Sequence, residues 1–105
     1  MAQDFERNTA NGVGTTAVTL RTANSDDAIV GITVANVHTA QITVEVYIND
    51  GSNDIHIVKD APIPVGASLE LMAGNKVVLE TTDQITIDCS VADKLSGTLS
   101  IMEIT

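Results

Sequence analysis

Ile42-Thr43-Val44-Glu45-Val46-Tyr47-Ile48, then Asn49-Asp50-Gly51-Ser52-Asn53-Asp54, then Ile55-His56-Ile57-Val58, decides the fold class of this 105-residue sequence. Ile42, Val44, Val46 and Ile48 alternate with Thr43, Glu45 and Tyr47. A period of two places alternate side chains on opposite faces of an extended strand, so this segment reads as a strand with one buried face. The polar cluster Asn49 to Asp54 contains Asp-Gly and is flanked by apolar residues on both sides, which predicts a hairpin loop.

Upstream, Val30, Ile32 and Val34 repeat the same spacing, and the loop Asn36 to Gln41 separates them from Ile42. The two segments read as neighbouring antiparallel strands with a shared buried face. Val18 and Leu20 mark an earlier strand after Gly12-Val13-Gly14, and the Phe5 region supplies a first edge strand or an N-terminal arm over residues 1–14. Downstream, Ala61-Pro62-Ile63-Pro64-Val65-Gly66 holds two prolines spaced by two. They remove N–H groups from the same side of an extended chain, so this segment is an edge strand or a crossing between sheets. Leu69-Glu70-Leu71, a turn at Gly74-Asn75, Lys76 to Glu80, a turn at Thr81-Thr82-Asp83, the run Ile85 to Val91, and a last strand opening at Ser96-Gly97 complete the chain. No stretch has a capped helical period. Eight or nine short strands between turn residues predict one all-β domain over residues 15–105, an antiparallel β-sandwich of jelly-roll or immunoglobulin-like type.

The last strand departs from a simple inside–outside pattern. Leu99 and Ile101 point one way, Met102 and Ile104 the other, so both faces are apolar near the end. A sandwich core covers only one of them. The second face is covered either by another subunit or by an N-terminal segment of the same chain. Met102 and Ile104, together with the proline-marked edge at Pro62 and Pro64, are therefore the candidate subunit-interface residues.

Composition narrows the function. Aromatic residues make up 2% of the chain, namely Phe5 and Tyr47, so a row of stacking platforms for bases or sugars is not available. With 14 acidic and 5 basic residues the formal charge is −9, which disfavours nucleic acid as a partner. Cys89 is the single cysteine and falls on the apolar side of the alternation Ile85, Ile87, Cys89, as a buried reduced thiol does. The first residues, Met-Ala-Gln-Asp-Phe-Glu-Arg, have no signal-peptide character, and no run approaches the roughly 20 apolar residues of a membrane span. The expectation is a soluble protein made in a reducing compartment, with no membrane partner.

Chemistry is sparse. His38 lies in a polar loop and His56 on the outer face of a strand, neither at a metal-ligand spacing from a partner. There is no Gly-x-Ser-x-Gly elbow, and Gly12-Val13-Gly14 lacks the rest of a phosphate loop. Asn49, Asp50, Asn53 and Asp54 gather oxygens as a calcium site does, but without EF-hand spacing, and a polar turn accounts for them. The sequence predicts a non-enzymatic protein with no catalytic residues, no metal and no cofactor.

The stretch Val58-Lys59-Asp60-Ala61-Pro62-Ile63-Pro64-Val65-Gly66-Ala67-Ser68-Leu69-Glu70-Leu71, with Lys76-Val77-Val78-Leu79-Glu80, Asp83-Gln84-Ile85 and the closing Glu103-Ile104-Thr105, resembles small virion structural proteins of tailed bacteriophages. These carry a similar K-x-x-P-I-P-x-G-x-x-L and K-x-V-L-E-x-x-D-x-I run, and the similarity spans residues 15 to 105. The resemblance implies a virion location after assembly in the host cytoplasm. It implies a capsid decoration (cement) protein on the major capsid protein, or a neck, tail or fibre component, acting as a homo-oligomer. A cyclic homotrimer suits three-fold and quasi-three-fold positions of an icosahedral shell. A monomeric carbohydrate- or calcium-binding sandwich module is the reading from a different class.

Overall fold

The computed structural model describes residues 3–24, 26–71 and 77–104, apart from the side chains of Gln3, Asp4, Val77 and Ile104. The described residues form nine strands: β1 (Gln3–Val13), β2 (Val18–Thr22), β3 (Asp26–Asn36), β4 (Ile42–Asn49), β5 (Asp54–Ile63), β6 (Ser68–Glu70), β7 (Val77–Leu79), β8 (Gln84–Cys89) and β9 (Leu95–Ile104). The turn expected at Gly74-Asn75 lies outside the described residues.

Two antiparallel sheets face each other. One has the order β1-β9-β3-β6, with β7 also paired to β3, and the other has the order β2-β8-β4-β5. The two short strands β6 and β7 occupy successive stretches of the same β3 edge, Thr33–Ala35 and Asp27–Ile29. Counted as one position, they give four strand positions per sheet, and the chain passes repeatedly from one sheet to the other. This is the eight-position jelly roll. Of the two sandwich types the sequence allowed, the structure takes this one.

The alternation seen in the sequence places the core. Ile42, Val44, Val46, Ile85 and Ile87 from one sheet meet Ile29, Ile32, Val34, Leu99 and Ile101 from the other, all essentially without solvent contact. Each fully buried side chain of this size stabilises the fold by about 1.5–3 kcal/mol. Cys89 is buried among them, with its thiol directed at the carbonyls of Val91 (2.9 Å) and Val13 (3.4 Å). Glycine is required where the chain turns from β1 toward β2. A Cβ on Gly14 would stand 2.8 Å from the Asp93 nitrogen and 2.9 Å from the Ala92 Cα, both backbone atoms.

Three expectations are corrected. First, β3 and β4 are not neighbours but lie in opposite sheets. Alternation reveals which side chains go inward, and strands from either sheet feed the same core, so the pattern does not fix pairing. Second, Val30 is not in phase with Ile32 and Val34. The register of β3 against β9 shifts between Ile29 and Gly31, which turns Ile29 inward and leaves Val30 41% exposed. One extra residue in a strand reverses the facing of everything before it. Third, the N-terminal segment does not fold over the last strand. β1 runs antiparallel beside β9, from Gln3 opposite Ile104 to Ala10 opposite Gly97, so it extends the sheet and covers neither face.

The proline-marked segment does both things the sequence allowed. Pro62 lies in β5, the edge of the four-stranded sheet, opposite Thr43. Pro64 follows, and its carbonyl accepts from the Ala67 amide as the chain crosses to β6 in the other sheet.

Candidate assembly surface

Antiparallel register stacks side chains of equal facing across a sheet. In the five-stranded sheet, Phe5 pairs with Met102, Met102 with Ala28, and Ala28 with Val78. The neighbours of Met102 and Ala28 in sequence, Ile101 and Ile29, point into the core. The four residues therefore form an apolar row on the outward face, running about 14 Å from β1 to β7 at ordinary strand spacing. Phe5 is 77% exposed and Val78 59% exposed, Met102 and Ala28 are half-buried between them, and Val30 stands beside the row at its bulge. Further along the face the rows become Arg7–Ser100–Gly31 and Thr9–Thr98–Thr33–Glu70. The outward face is thus apolar at one end and hydroxylated at the other.

Of the four expected interface residues, Met102 lies at the centre of this row. The side chain of Ile104 lies outside the described residues. Pro62 and Pro64 are exposed, but Pro62 belongs to the edge of the other sheet and Pro64 to the crossing that follows it, so neither is in the row with Met102. The sequence reading missed Phe5, Ala28, Val30 and Val78. The phase at Val30 is hidden by the bulge, and the row is assembled from four strands far apart in the chain.

Beneath the apolar end, Arg21 from β2 reaches across the gap between the sheets. Its Nε lies 2.7 Å from Asp27 Oδ2, and its Nη2 lies 3.2 Å from Glu103 Oε2 and 3.5 Å from Glu6 Oε2. Asp27 is fully buried. The Glu6 carboxyl is pushed above its ordinary value, first by a hydrogen bond shared with Glu103 and then by burial. One cation thus holds three carboxylates from β1, β3 and β9 and closes this end of the sandwich.

The opposite outer face carries a second charged group. Glu45 on β4 stands directly across from Asp88 on β8. Lys59 Nζ donates to Glu45 Oε1 at 2.9 Å, and His56 Nε2 lies 3.6 Å from the same oxygen, while the His56 ring leans on Tyr47 with centroids 5.1 Å apart. Asp60, Thr15, Thr43 and Ser90 join Glu45 and Asp88 around an open hollow of about 240 Å³. Burial, then hydrogen bonding to Glu45, pushes the Asp88 carboxyl up to about 6, while Lys59 holds Glu45 below its ordinary value.

A raised Asp88 binds its proton more tightly in the folded state than in the unfolded one. Its contribution to stability is full below its unfolded pKa of about 3.9 and is lost as pH rises through 6. Asp88→Asn should therefore stabilise the protein at pH 7 and lose that advantage near pH 4. The pair is half-buried and borders open solvent, so the gain is on the order of a few tenths to 1 kcal/mol. Urea unfolding at the two pH values measures it, and equal effects at both would reject proton sharing by this pair.

Elsewhere, polar groups serve the backbone. The Asn49 and Asp50 side-chain oxygens accept from the amides of Gly51, Ser52 and Asn53, and Asn49 Nδ2 donates to Asp54 Oδ1 at 2.8 Å, which is how a tight hairpin loop is held. Ser90 Oγ accepts from the Thr43 amide. No cluster of three or more His, Cys, Asp or Glu side chains takes metal-ligand geometry among the described residues.

No protein-family model matches this sequence, and no curated protein sequence does. Solved structures do match in fold. The chain is similar to one in the acidic stable capsid structure of Helicobacter pylori bacteriophage KHP30, with a TM-score of 0.61 and 10% identity over 97% of this chain and 86% of that one. It is similar to a chain of the Bacillus endospore appendages, a family of disulfide-linked pili, with a TM-score of 0.56 and 17% identity over 97% and 86%. It is similar to part of a chain in an IBDV viral particle, with a TM-score of 0.57 and 12% identity over 96% of this chain and 31% of that one. At these identities the likeness is one of fold: this jelly roll is built like chains of a phage capsid, a spore appendage and an icosahedral virus particle.

Proposed function

We propose that the protein is a non-enzymatic structural subunit of a phage virion, a decoration (cement) protein that sits on the outer surface of the major capsid shell. The observation that carries this reading is the apolar row Phe5–Met102–Ala28–Val78. It lies on the outward face of a sheet whose inward face already fills the core. An apolar sheet face of this kind is a contact surface in search of a partner. The phage-like run from Lys59 to Ile85 and the fold shared with a phage capsid chain support the choice of partner. The charge of −9 keeps free subunits away from DNA until they dock. A homotrimer on three-fold positions of the shell is the arrangement proposed for the docked subunits.

A neck, tail or fibre position uses the same surface and is the second reading. A pilus subunit of the disulfide-linked kind is not favoured, because this sequence has one cysteine and the fold buries it.

Phe5 and Val78 are the most exposed members of the row, so charge can be placed there without touching the core. Phe5→Asp with Val78→Asp should leave the circular-dichroism spectrum and melting temperature near those of the parent. Loss of two buried apolar side chains at the contact costs about 3–6 kcal/mol, or roughly 100-fold or more in affinity for the particle. Co-sedimentation with particles lacking the protein is the assay. Binding of the double variant at parental strength would remove this face from the account.

A further inference from the structure

Every open sheet edge offers unpaired N–H and C=O groups to another strand, and proteins blunt the edges they do not use. Three of the four edges here are blunted. β5 contains Pro62, has Asp60 at a φ of 52°, and shifts register twice against β4. β2 has five residues and a register shift between Thr19 and Arg21. The edge opposite β1 in its own sheet is made of two three-residue strands, β6 and β7. β1 is different. It has eleven residues and no proline, its inward-facing Glu6 is tied to Arg21 of the same sandwich, and it holds straight register against β9 from Gln3 to Ala10. Its one irregularity comes after Ala10, near Gly12 at a φ of 67°.

We infer that the free edge of β1 pairs antiparallel with β1 of a second copy, joining two sandwiches into one continuous sheet across a two-fold axis. A strand is the protein partner that fits this edge, because backbone groups spaced for a ladder match another extended backbone group for group, in place of the water that otherwise solvates them. Symmetry favours a copy of the same chain. A two-fold perpendicular to the sheet matches outward-facing residues with outward-facing residues, so Phe5, Arg7 and Thr9 of both copies share one side. The two apolar rows then lie on the same face of one sheet, with Phe5, the most exposed large apolar side chain among the described residues, at the seam.

The inference stands apart from the virion reading, since purified protein alone tests it. Around a three-fold position, the same contact would link one trimer to the next.

The experiment combines sedimentation with hydrogen exchange of the purified full chain from dilute to concentrated solution. Even-numbered oligomers are expected as concentration rises, with exchange of the outward β1 amides slowed at least about tenfold. Arg7→Pro and Asn8→Pro supply the control. Adjacent amides of a strand point to opposite sides, so one of these faces β9 and the other faces out. The variant lacking the outward amide should stay folded and fail to assemble, while the other loses a ladder bond and melts lower. A monomer at every concentration overturns the inference. So does an oligomer whose β1 amides exchange at the monomer rate, or one whose mass neither proline changes. If β1 becomes protected only on addition of particles, the strand acceptor holds for a virion protein and the second-copy assignment fails.

Discussion

Arg21→Met should cost about 3–5 kcal/mol of stability at neutral pH, the scale seen when one partner of a buried ion pair is removed. Folded domains hold roughly 5–15 kcal/mol in total, so the variant would be close to unfolding at physiological temperature. The reason is specific. Arg21 is the cation that β2 extends to Asp27, Glu103 and Glu6 on the other sheet, and Asp27 has no solvent to fall back on. Urea unfolding at pH 7 reads the loss. Adding Asp27→Asn to the variant should restore part of the loss, since it removes the buried charge itself. A loss below about 1 kcal/mol would reduce the cluster to an ordinary surface network.

Asn36→Ala is the second large effect. Asn36 ends β3 and is buried, where its Nδ2 lies 2.9 Å from the Ile63 carbonyl, 3.0 Å from that of Ala40 and 3.2 Å from that of Pro64. Its Oδ1 accepts from the His38 amide at 2.7 Å, and its own amide donates to Ala67. One side chain thus ties together two of the crossings between the sheets, β3 to β4 and β5 to β6. Truncation takes this partner from the buried Ile63 carbonyl and from the part-buried Ala40 carbonyl and His38 amide, at about 1–3 kcal/mol for a fully buried group before relaxation. A net loss of about 2–4 kcal/mol is expected, with faster hydrogen exchange around residues 37–41 and 63–67. Denaturant unfolding within 0.5 kcal/mol of the parent, on the scale of roughly neutral surface substitutions, would contradict the tie.

How much of this was legible follows from what the sequence encodes locally. Ile42, Val44 and Val46 declared their facing, the Asn49 to Asp54 cluster its hairpin, Pro62 its edge and Cys89 its burial, because each depends on neighbours within a few residues. Pairing was not legible. β3 and β4 each show one apolar face, and nothing local says that the five residues between them cross from one sheet to the other. The bulge at Val30 left no turn residue to mark it except Gly31. The Arg21 cluster joins residues 6, 21, 27 and 103, and the apolar row joins residues 5, 28, 78 and 102. Both exist only once non-local register is set. Met102 was found because its own strand betrays two apolar faces, whereas Phe5 and Val78 look like isolated surface residues.

The most direct test of the virion account is the position and copy number of this chain in an electron-microscopy map of the phage particle that carries it. The account predicts density for the jelly roll on the outer shell surface, in copies that follow the icosahedral lattice, with Phe5, Met102 and Val78 turned toward a protein neighbour. A particle that contains no copy of the chain, or one in which this sheet face looks onto open solvent, would contradict it.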